Sequence, residues 1–408
     1  MIEKSLVNIL VLDDEPFILK LLARILANQG YTEVALCSNG QAVLDQIDSA
    51  KMQPNLILLD LNMPEMDGIE FVRHLVERDY NGSLILISGE DERMLRAVEK
   101  LVQAHKISVL GYIQKPVKPE VLSMLLEKWS FPLQKSPQVA KKIYGANEIR
   151  ASIKNGEFVN YYQPQVMVRT GEVVGVETLV RWHHPIYGMV LPDQFISVAE
   201  EYNLIEELTR AVFTNVLAQA KAWQQAGLEL RVAINVSVGS LTSLDFLDFV
   251  TGVTAKAGVP PQMVVLEVTE SQLMQDVRVA LEILTRLRLK RFRLAIDDFG
   301  TGHSSLAQLR DIPFDELKID QGFVHRAWVD ERLRAIYDAS LALAKQLDME
   351  VVAEGVADQD DWDLLRRTGC DLAQGSFISQ PVLPADLPGW IKDWKGQISN
   401  CIVNDIRR

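Results

Sequence analysis

Short apolar runs alternate with amphipathic stretches along most of the chain. VNILVLDDE and NLILLD are continuous apolar runs that end on acids, and FILKLLARILANQG between them has apolar residues at helical spacing and ends at Gly30. Continuous apolar runs separated by amphipathic helices are typical of parallel strands that are covered on both faces. With the later runs LILISG and VLGYIQKP and a last helix over residues 118–128, the pattern predicts an α/β unit over residues 1–129.

The alternation resumes over residues 146–396. Eight apolar runs predict strands there: YYQPQVMV, VVGVETLVRW, VAINVS, VVLEVTE, FRLAIDDF, ELKID, VVAEGV and LAQGSFIS. The stretches LIEELTRAVFTNVLAQAKAWQQAG and ERLRAIYDASLALAKQLD predict helices between them. About 250 residues of this pattern is the usual size of a (β/α)₈ barrel. Residues 130–145, with two prolines and three lysines, predict a linker, and residues 397–408 a C-terminal tail.

Composition and charge narrow the functional classes. The 408 residues are 48% hydrophobic and 24% charged, with a net charge of −13, which argues against a broad surface for a nucleic-acid polymer or an acidic membrane. The three cysteines show no CxxC spacing, as expected in a reducing compartment. The first apolar run is too short for a signal peptide, and no run approaches the ~18 apolar residues of a membrane span. We expect a soluble cytoplasmic protein without membrane insertion.

In the first unit, polar residues stand where the predicted strands end. In an open α/β sheet, ligands bind outside the carboxyl ends of the strands. These residues are Asp13, Asp14, Asp60, Ser88 and Lys115. The alternative is structural, with the paired acids capping a helix and Lys115 lying on the surface.

This unit resembles a response-regulator receiver domain. The resemblance rests on Asp13-Asp14, on DLNMPEMDG opening with Asp60, and on Ser88, Tyr112 and Lys115-Pro116. It implies a flavodoxin-like doubly wound fold in which Asp60 accepts a phosphoryl group from a cognate sensor histidine kinase. It also implies that Asp13, Asp14 and Asp60 hold Mg²⁺, while Lys115 and Ser88 contact the phosphoryl oxygens. The chemistry agrees, because a carboxylate attacks phosphorus only when a cation neutralises both partners.

In the second unit, the segment FRLAIDDFGTGHSS places Asp297 and Asp298 at the end of an apolar run, before Gly300 and Gly302. Burying one lone carboxylate costs several kcal/mol, roughly, so two at the mouth of a core strand imply a cation or a raised pKa. The structural alternative is two acids that cap a following helix.

Other predicted strands carry polar groups in the same way, so we expect one convergent pocket. These groups are Glu177, Asn235, Glu267, Glu270, Lys318, Glu354 and Gln374. Carboxylates and one amide favour Mg²⁺ or Mn²⁺ over zinc. His183-His184-Pro185 shows no metal-ligand spacing.

The second unit resembles an EAL domain, the cyclic di-GMP phosphodiesterase family, with a TIM-like barrel. The three-residue motif after which the family is named is Glu177-Thr178-Leu179 in this chain. The resemblance implies two metal ions, Mg²⁺ or Mn²⁺, bound by five residues: Glu177, Asn235, Glu267, Asp297 and Asp298. It implies catalytic roles for Glu177, Lys318 and Glu354. It further implies substrate binding by Gln163, Arg181 and Gln374, a loop anchored by Glu270, and association into a homo-oligomer.

Two departures from the family pattern stand out. The family commonly continues EGVE where Ala357 follows Glu354-Gly355-Val356, and it commonly has an aromatic residue where His303 stands. Neither removes a primary ligand, but both could lower turnover.

We therefore expect a response regulator that hydrolyses cyclic di-GMP to linear pGpG under the control of Asp60 phosphorylation. One alternative is a receptor that holds cyclic di-GMP without cutting it. Another is a phosphorylation-driven interaction protein with an inert barrel.

Overall fold

A computed structural model describes residues 7–49, 51–105, 107–129, 144–237, 239–242, 244–269, 277–301 and 306–405. The chain forms two compact units, Met1–Ala140 and Lys141–Arg408. In the described part of the chain, every helix is too short or too polar to span a bilayer.

The first unit is a five-stranded parallel sheet with helices between successive strands. Its strands are β1 (Ile9–Leu12), β2 (Val34–Cys37), β3 (Leu56–Asp60), β4 (Ser83–Ser88) and β5 (Ser108–Gln114). Its helices are α1 (Pro16–Asn28), α2 (Gly40–Asp48), α3 (Gly68–Glu77), α4 (Glu92–Ala104) and α5 (Pro119–Lys128). The strand order β2-β1-β3-β4-β5 is that of the flavodoxin-like fold, so the predicted fold class is confirmed for this unit.

Two apolar layers cover this sheet, and β1 shows why its sequence is apolar at every position. Ile9 and Val11 belong to one buried cluster, and Leu10 and Leu12 belong to the other. Alternate strand residues point to opposite faces, so a strand buried on both faces needs an uninterrupted apolar run. The run ends where the chain leaves the core, which places Asp13 at the strand's carboxyl end.

The second unit contains nine strands and ten helices among its described residues. The strands are β6 (Phe158–Met167), β7 (Val173–His184), β8 (Gly188–Val190), β9 (Arg231–Asn235), β10 (Val264–Thr269), β11 (Arg293–Phe299), β12 (Glu316–Ile319), β13 (Glu350–Ala353) and β14 (Leu372–Ala373). The helices are α6 (Ala146–Asn155), α7 (Ile196–Glu201), α8 (Ile205–Gln225), α9 (Leu244–Ala257), α10 (Val277–Leu289), α11 (Leu306–Asp311), α12 (Gln321–Val324), α13 (Glu331–Gln346), α14 (Gln359–Thr368) and α15 (Leu387–Asp405).

Eight of these strands close into a barrel, which confirms the predicted fold class. The order runs β6-β14-β13-β12-β11-β10-β9-β7, and β6 pairs again with β7. Strand β8 extends the end of β7 as an antiparallel hairpin that the sequence pattern did not predict.

Strand β6 departs from the all-parallel barrel because it runs antiparallel to both of its neighbours, β7 and β14. The connection from β6 to β7 spans only residues 168–172, and a parallel crossover needs a dozen residues or more. The hairpin therefore reverses β6, while the other seven barrel strands are parallel and bring their carboxyl ends to one face.

Candidate functional sites

The first site lies at the carboxyl ends of β1, β3 and β5. Carboxylate oxygens of Asp13, Asp14 and Asp60 lie within 4.8 Å of one another. Lys115 Nζ, which follows β5, is 3.1 Å from Asp13 Oδ2 and 3.2 Å from Asp60 Oδ2. Burial raises the pKa of the Asp13 carboxyl, against the effect of Lys115. Three acids and one ammonium therefore meet where the sequence predicted them, and their functional roles stay predictions.

Two further residues complete this site. Ser88 is buried at the end of β4, and its Oγ accepts a hydrogen bond from Glu90 N at 3.2 Å. Glu15, which the sequence reasoning missed, lies 3.0 Å from Lys115 Nζ. The run Asp13-Asp14-Glu15 offered a signal, since a third acid follows the pair directly. Tyr112 is half-buried and packs against the cluster that contains Leu84 and Leu86.

The second site is built around Lys318 in β12. Its side chain is fully buried, and its Nζ is 2.7 Å from Glu354 Oε1 and 2.9 Å from Glu267 Oε1. Oxygens of two more acids are close, at 3.1 Å for Asp297 and 3.4 Å for Glu177. Burial alone would lower the pKa of Lys318, but the four carboxylates raise it above its usual range. We call these four acids and Lys318 the carboxylate cage.

Glu267 is the most deeply buried acid of the carboxylate cage. Apart from the Lys318 ammonium, 2.9 Å from Oε1, no described residue donates a hydrogen bond to its carboxylate oxygens, so Lys318 is its counter-charge. Burial raises the pKa of Glu267 well above its usual range. A buried carboxylate with open acceptor positions fits a cation ligand, because such a group is costly unless it is paired.

Glu177 is oriented by a chain of amides. Asn235 Nδ2 donates to Glu177 Oε1 at 3.2 Å, and Gln374 Nε2 donates to the other oxygen. Gln374 Nε2 also lies 3.0 Å from Gln163 Oε1, and Gln165 Nε2 donates to Gln374 Oε1 at 3.1 Å. Because Asn235 uses its amide N–H here, its carbonyl oxygen stays available as a neutral ligand.

Asp297 and Asp298 both line the same cavity although they are adjacent in β11. Neighbouring strand residues normally point to opposite faces, but the pairing of β11 with β12 shifts register between Ile296 and Phe299. Asp298 there has φ 54°, in the left-handed region. The bulge turns the second carboxylate toward the site, and such strained backbone is typical of functional positions.

Carboxylate oxygens of Asp297, Asp298 and Glu354 lie within 4.8 Å of one another, a spacing that fits a shared cation. Burial and the neighbouring Asp297 raise the pKa of Asp298 to about 6. Burial also raises the pKa of Glu354 to about 8, although Lys318 opposes the shift. Crowded acids of this kind need positive charge to stay ionised together.

The cavity above the carboxylate cage measures about 720 Å³. Its lining includes Gln163 and Gln374, whose substrate-binding roles stay predictions, and Ala357, where the family commonly has an acid. Arg181 lies farther along β7, is half-buried, and is not part of this lining. Glu270 and His303 lie outside the described residues.

Sequence reasoning missed two titratable residues of the cavity lining, Asp320 and His325. Asp320 follows the strand run that carries Lys318 and offered a direct signal, because it repeats the pattern of an acid at a strand end. His325 offered none, because it lies beyond the strand in a short helical turn.

The fold and the two acidic sites define a two-part protein, in which a receiver-type unit precedes a barrel of the kind that carries acidic, metal-binding active sites. The chain belongs to the EAL domain family, whose model matches residues 146–381. The model of the response regulator receiver domain matches residues 9–127.

Two relatives show how far the similarity extends. The cyclic di-GMP phosphodiesterase RocR of Pseudomonas aeruginosa is 32% identical over 378 residues, which cover 92% of this chain and 96% of RocR. A solved structure titled PaMucR phosphodiesterase, c-di-GMP complex, is 35% identical with a TM-score of 0.57, and covers 59% of this chain and 98% of that one. The similarity to RocR therefore includes both units.

Proposed function

We propose that the chain is a cyclic di-GMP phosphodiesterase that releases linear pGpG. The observation that carries the proposal is the carboxylate cage with Asp298 beside it, since these acids meet at the carboxyl ends of parallel barrel strands. The similarity to RocR, a cyclic di-GMP phosphodiesterase, and to the MucR complex supports this substrate.

Five residues would hold two divalent ions, Mg²⁺ or Mn²⁺: Glu177, Asn235, Glu267, Asp297 and Asp298. Their oxygen-only donor set fits these cations, and the open acceptors of Glu267 are consistent with it. When bound, such ions lower the pKa of water and offset charge on phosphorus.

The chain's own residues would position substrate and move the proton. Glu354 is the best acceptor for the proton of the attacking water, because a pKa of about 8 lies close to neutral pH. Lys318, at 2.7 Å from Glu354 Oε1, would orient that carboxylate and the water. Gln163, Gln374 and Arg181 would bind the dinucleotide.

We further propose that the receiver unit regulates the barrel. Asp60 would accept a phosphoryl group from a sensor histidine kinase, with Mg²⁺ held by Asp13, Asp14 and Asp60. Lys115, 3.2 Å from Asp60 Oδ2, and Ser88 would contact the phosphoryl oxygens. Association of copies, implied by the family resemblance, stays a prediction that light scattering of the purified chain would check.

The deciding experiment incubates the purified full-length chain with cyclic di-GMP and Mg²⁺ or Mn²⁺, and separates the nucleotides by chromatography. We expect pGpG to accumulate and chelation by EDTA to stop it. Tight binding without pGpG would instead identify a receptor. The presence of Ala357 where the family commonly has an acid is compatible with that outcome. If the chain neither binds cyclic di-GMP nor forms pGpG, the proposed role of the barrel is refuted.

A further inference from the structure

His325 and Asp361 form a buried-acid and histidine pair at the edge of the cavity. Asp361, in the first turn of α14, is fully buried, and its Oδ2 is 2.8 Å from His325 Nδ1. The His325 side chain is 44% exposed and lines the cavity that contains Asp297 and Glu354. The two residues lie 36 positions apart in the chain, so the fold alone brings them together.

The Asp361 carboxylate fixes the backbone on both sides of this pair. Its Oδ2 accepts a hydrogen bond from Ala357 N at 3.0 Å, and its Oδ1 accepts one from Arg326 N at 3.0 Å. It thereby joins the loop after β13, which begins with Glu354, to the end of α12. The loops also touch closely, because a Cβ at Gly355, whose φ is +66°, would lie 2.2 Å from Gln321 Cβ.

This arrangement sets the state of the histidine ring. Both oxygens of Asp361 accept hydrogen bonds from backbone N–H groups, so the geometry points to Nδ1 of His325 as the donor in the contact with Oδ2. That leaves Nε2 as the nitrogen that can meet a ligand, and it makes no hydrogen bond within the described part of the chain. Asp361 thus holds the ring with one nitrogen free at the cavity edge.

His325 is also the one basic side chain in a strongly acidic cavity. Among the lining residues that the structure describes, five are acids: Glu177, Asp297, Asp298, Asp320 and Glu354. Lys318 lies beneath them and is paired with the four acids of the carboxylate cage. An anionic ligand at the outer edge of the cavity, beyond the metal-binding acids, would therefore meet His325.

We propose that His325, oriented by Asp361, binds the phosphodiester of cyclic di-GMP that is not being cut. This inference rests on the proposed function, since the substrate carries two phosphodiesters and the acidic centre would act on one. His325 is then a binding residue, and Asp361 is a positioning residue that acts through it. A charge-assisted hydrogen bond of this kind contributes about tenfold to affinity.

The test compares the full-length chain with His325→Asn, His325→Arg, Asp361→Asn and the double variant. Asparagine retains a donor close to the Nδ1 position, so the contact with Asp361 and the fold persist, as circular dichroism would verify. Turnover gives kcat and KM, and binding of fluorescent cyclic di-GMP is measured in a Glu354→Gln background. His74→Asn, in the receiver unit, is the matched control for loss of a histidine.

We expect His325→Asn to raise KM and Kd about tenfold with kcat within about twofold, and His325→Arg to recover most of the affinity. Asp361→Asn should raise KM, and its effect should shrink in the double variant because the two residues act together. A wild-type KM in His325→Asn would overturn the inference, as would a loss of kcat alone or no recovery with arginine.

Two other outcomes are separated by the same experiment. His325, Asp358 and Asp361 have ligand atoms within 4.8 Å of one another, so a cation is a competing occupant. Fewer bound Mn²⁺ ions in His325→Asn than in the wild type would assign a metal site and overturn the inference. A wild-type chain that neither binds nor cuts cyclic di-GMP would refute the proposed function itself, whereas normal wild-type activity with unaltered variants would refute only the role of His325.

Discussion

Replacing Lys318 by methionine tests the central claim that one ammonium holds the carboxylate cage together. Methionine has a similar length and no charge, so the substitution removes the counter-charge without leaving a large void. The ammonium lies 2.7 to 3.4 Å from four carboxylates, and Glu267 has no other partner among the described residues. We expect the metal-free barrel to lose stability and catalysis to fail.

The size of the loss follows from burial. Removing one partner of a buried ion pair costs about 3–5 kcal/mol, because it leaves an uncompensated charge. For a unit of this size, 1 kcal/mol corresponds to about 2–4 °C in Tm, so a decrease of about 6–20 °C is expected. The pKa of Lys318 is raised in the folded state, so the ammonium contributes fully below its ordinary pKa of 10.5, and a measurement near pH 7.5 is suitable.

The assay is differential scanning calorimetry of the full chain in EDTA, in which the barrel transition is followed separately from that of the receiver unit. Lys345→Met is the matched control, since Lys345 is exposed and, within the described part of the chain, its Nζ donates only to Gly369 O, at 2.7 Å. This control substitution should lower the free energy of unfolding by about 1 kcal/mol. Adding Mn²⁺ should restore part of the Tm of Lys318→Met, because the cation supplies the missing charge. A Lys318→Met transition no lower than that of the control would refute the reasoning.

Four further results are expected. Asp297→Ala or Glu177→Ala should lower kcat about 10³-fold or more, because each removes a metal ligand, and turnover within about tenfold of the wild type would contradict the assignment. Ca²⁺ should bind but not support turnover, since it prefers more and longer ligand contacts than Mg²⁺; full activity in Ca²⁺ alone would argue against this site geometry. Phosphorylation of Asp60, or beryllofluoride binding, should change turnover about 5- to 150-fold, towards activation, while Asp60→Asn should not respond; equal rates throughout would exclude receiver control of this kind. Because burial and Asp297 raise the pKa of Asp298 to about 6, protons should compete with metal below that pH, and Mn²⁺ affinity measured by calorimetry should fall about fivefold between pH 6 and pH 5, whereas a flat profile would mean that Asp298 is not a ligand.

Strand ends were the part of both sites that the sequence could predict. Asp60, Lys115 and Lys318 all terminate or interrupt short apolar runs, and parallel strands bring such positions to one edge. Local pattern is sufficient for this, because the change from apolar to polar residues marks where the chain leaves the core.

Features that depend on pairing between distant segments were not predictable in this way. The bulge that turns Asp298 into the cavity arises from the register of β11 against β12, and the reversed direction of β6 arises from a short hairpin. The contact of Asp361 with His325 joins the first turn of α14 to the end of α12 across 36 residues. Hydrophobic periodicity carries no information on register, strand direction or contacts between loops.

The closure of the barrel by β6 and β14 has a consequence for how the protein is made. Gln374, directly after β14, reaches back over 211 residues to Gln163 and over 197 residues to Glu177. Domains form cooperatively, and contacts between distant segments form late because the intervening chain must first be ordered. A ribosome must therefore synthesise nearly all of the barrel before Glu177 gains the second of its two amide partners, Gln374, in addition to Asn235. Incomplete chains would contribute no hydrolase activity to the cell, so that activity should appear only with the finished polypeptide.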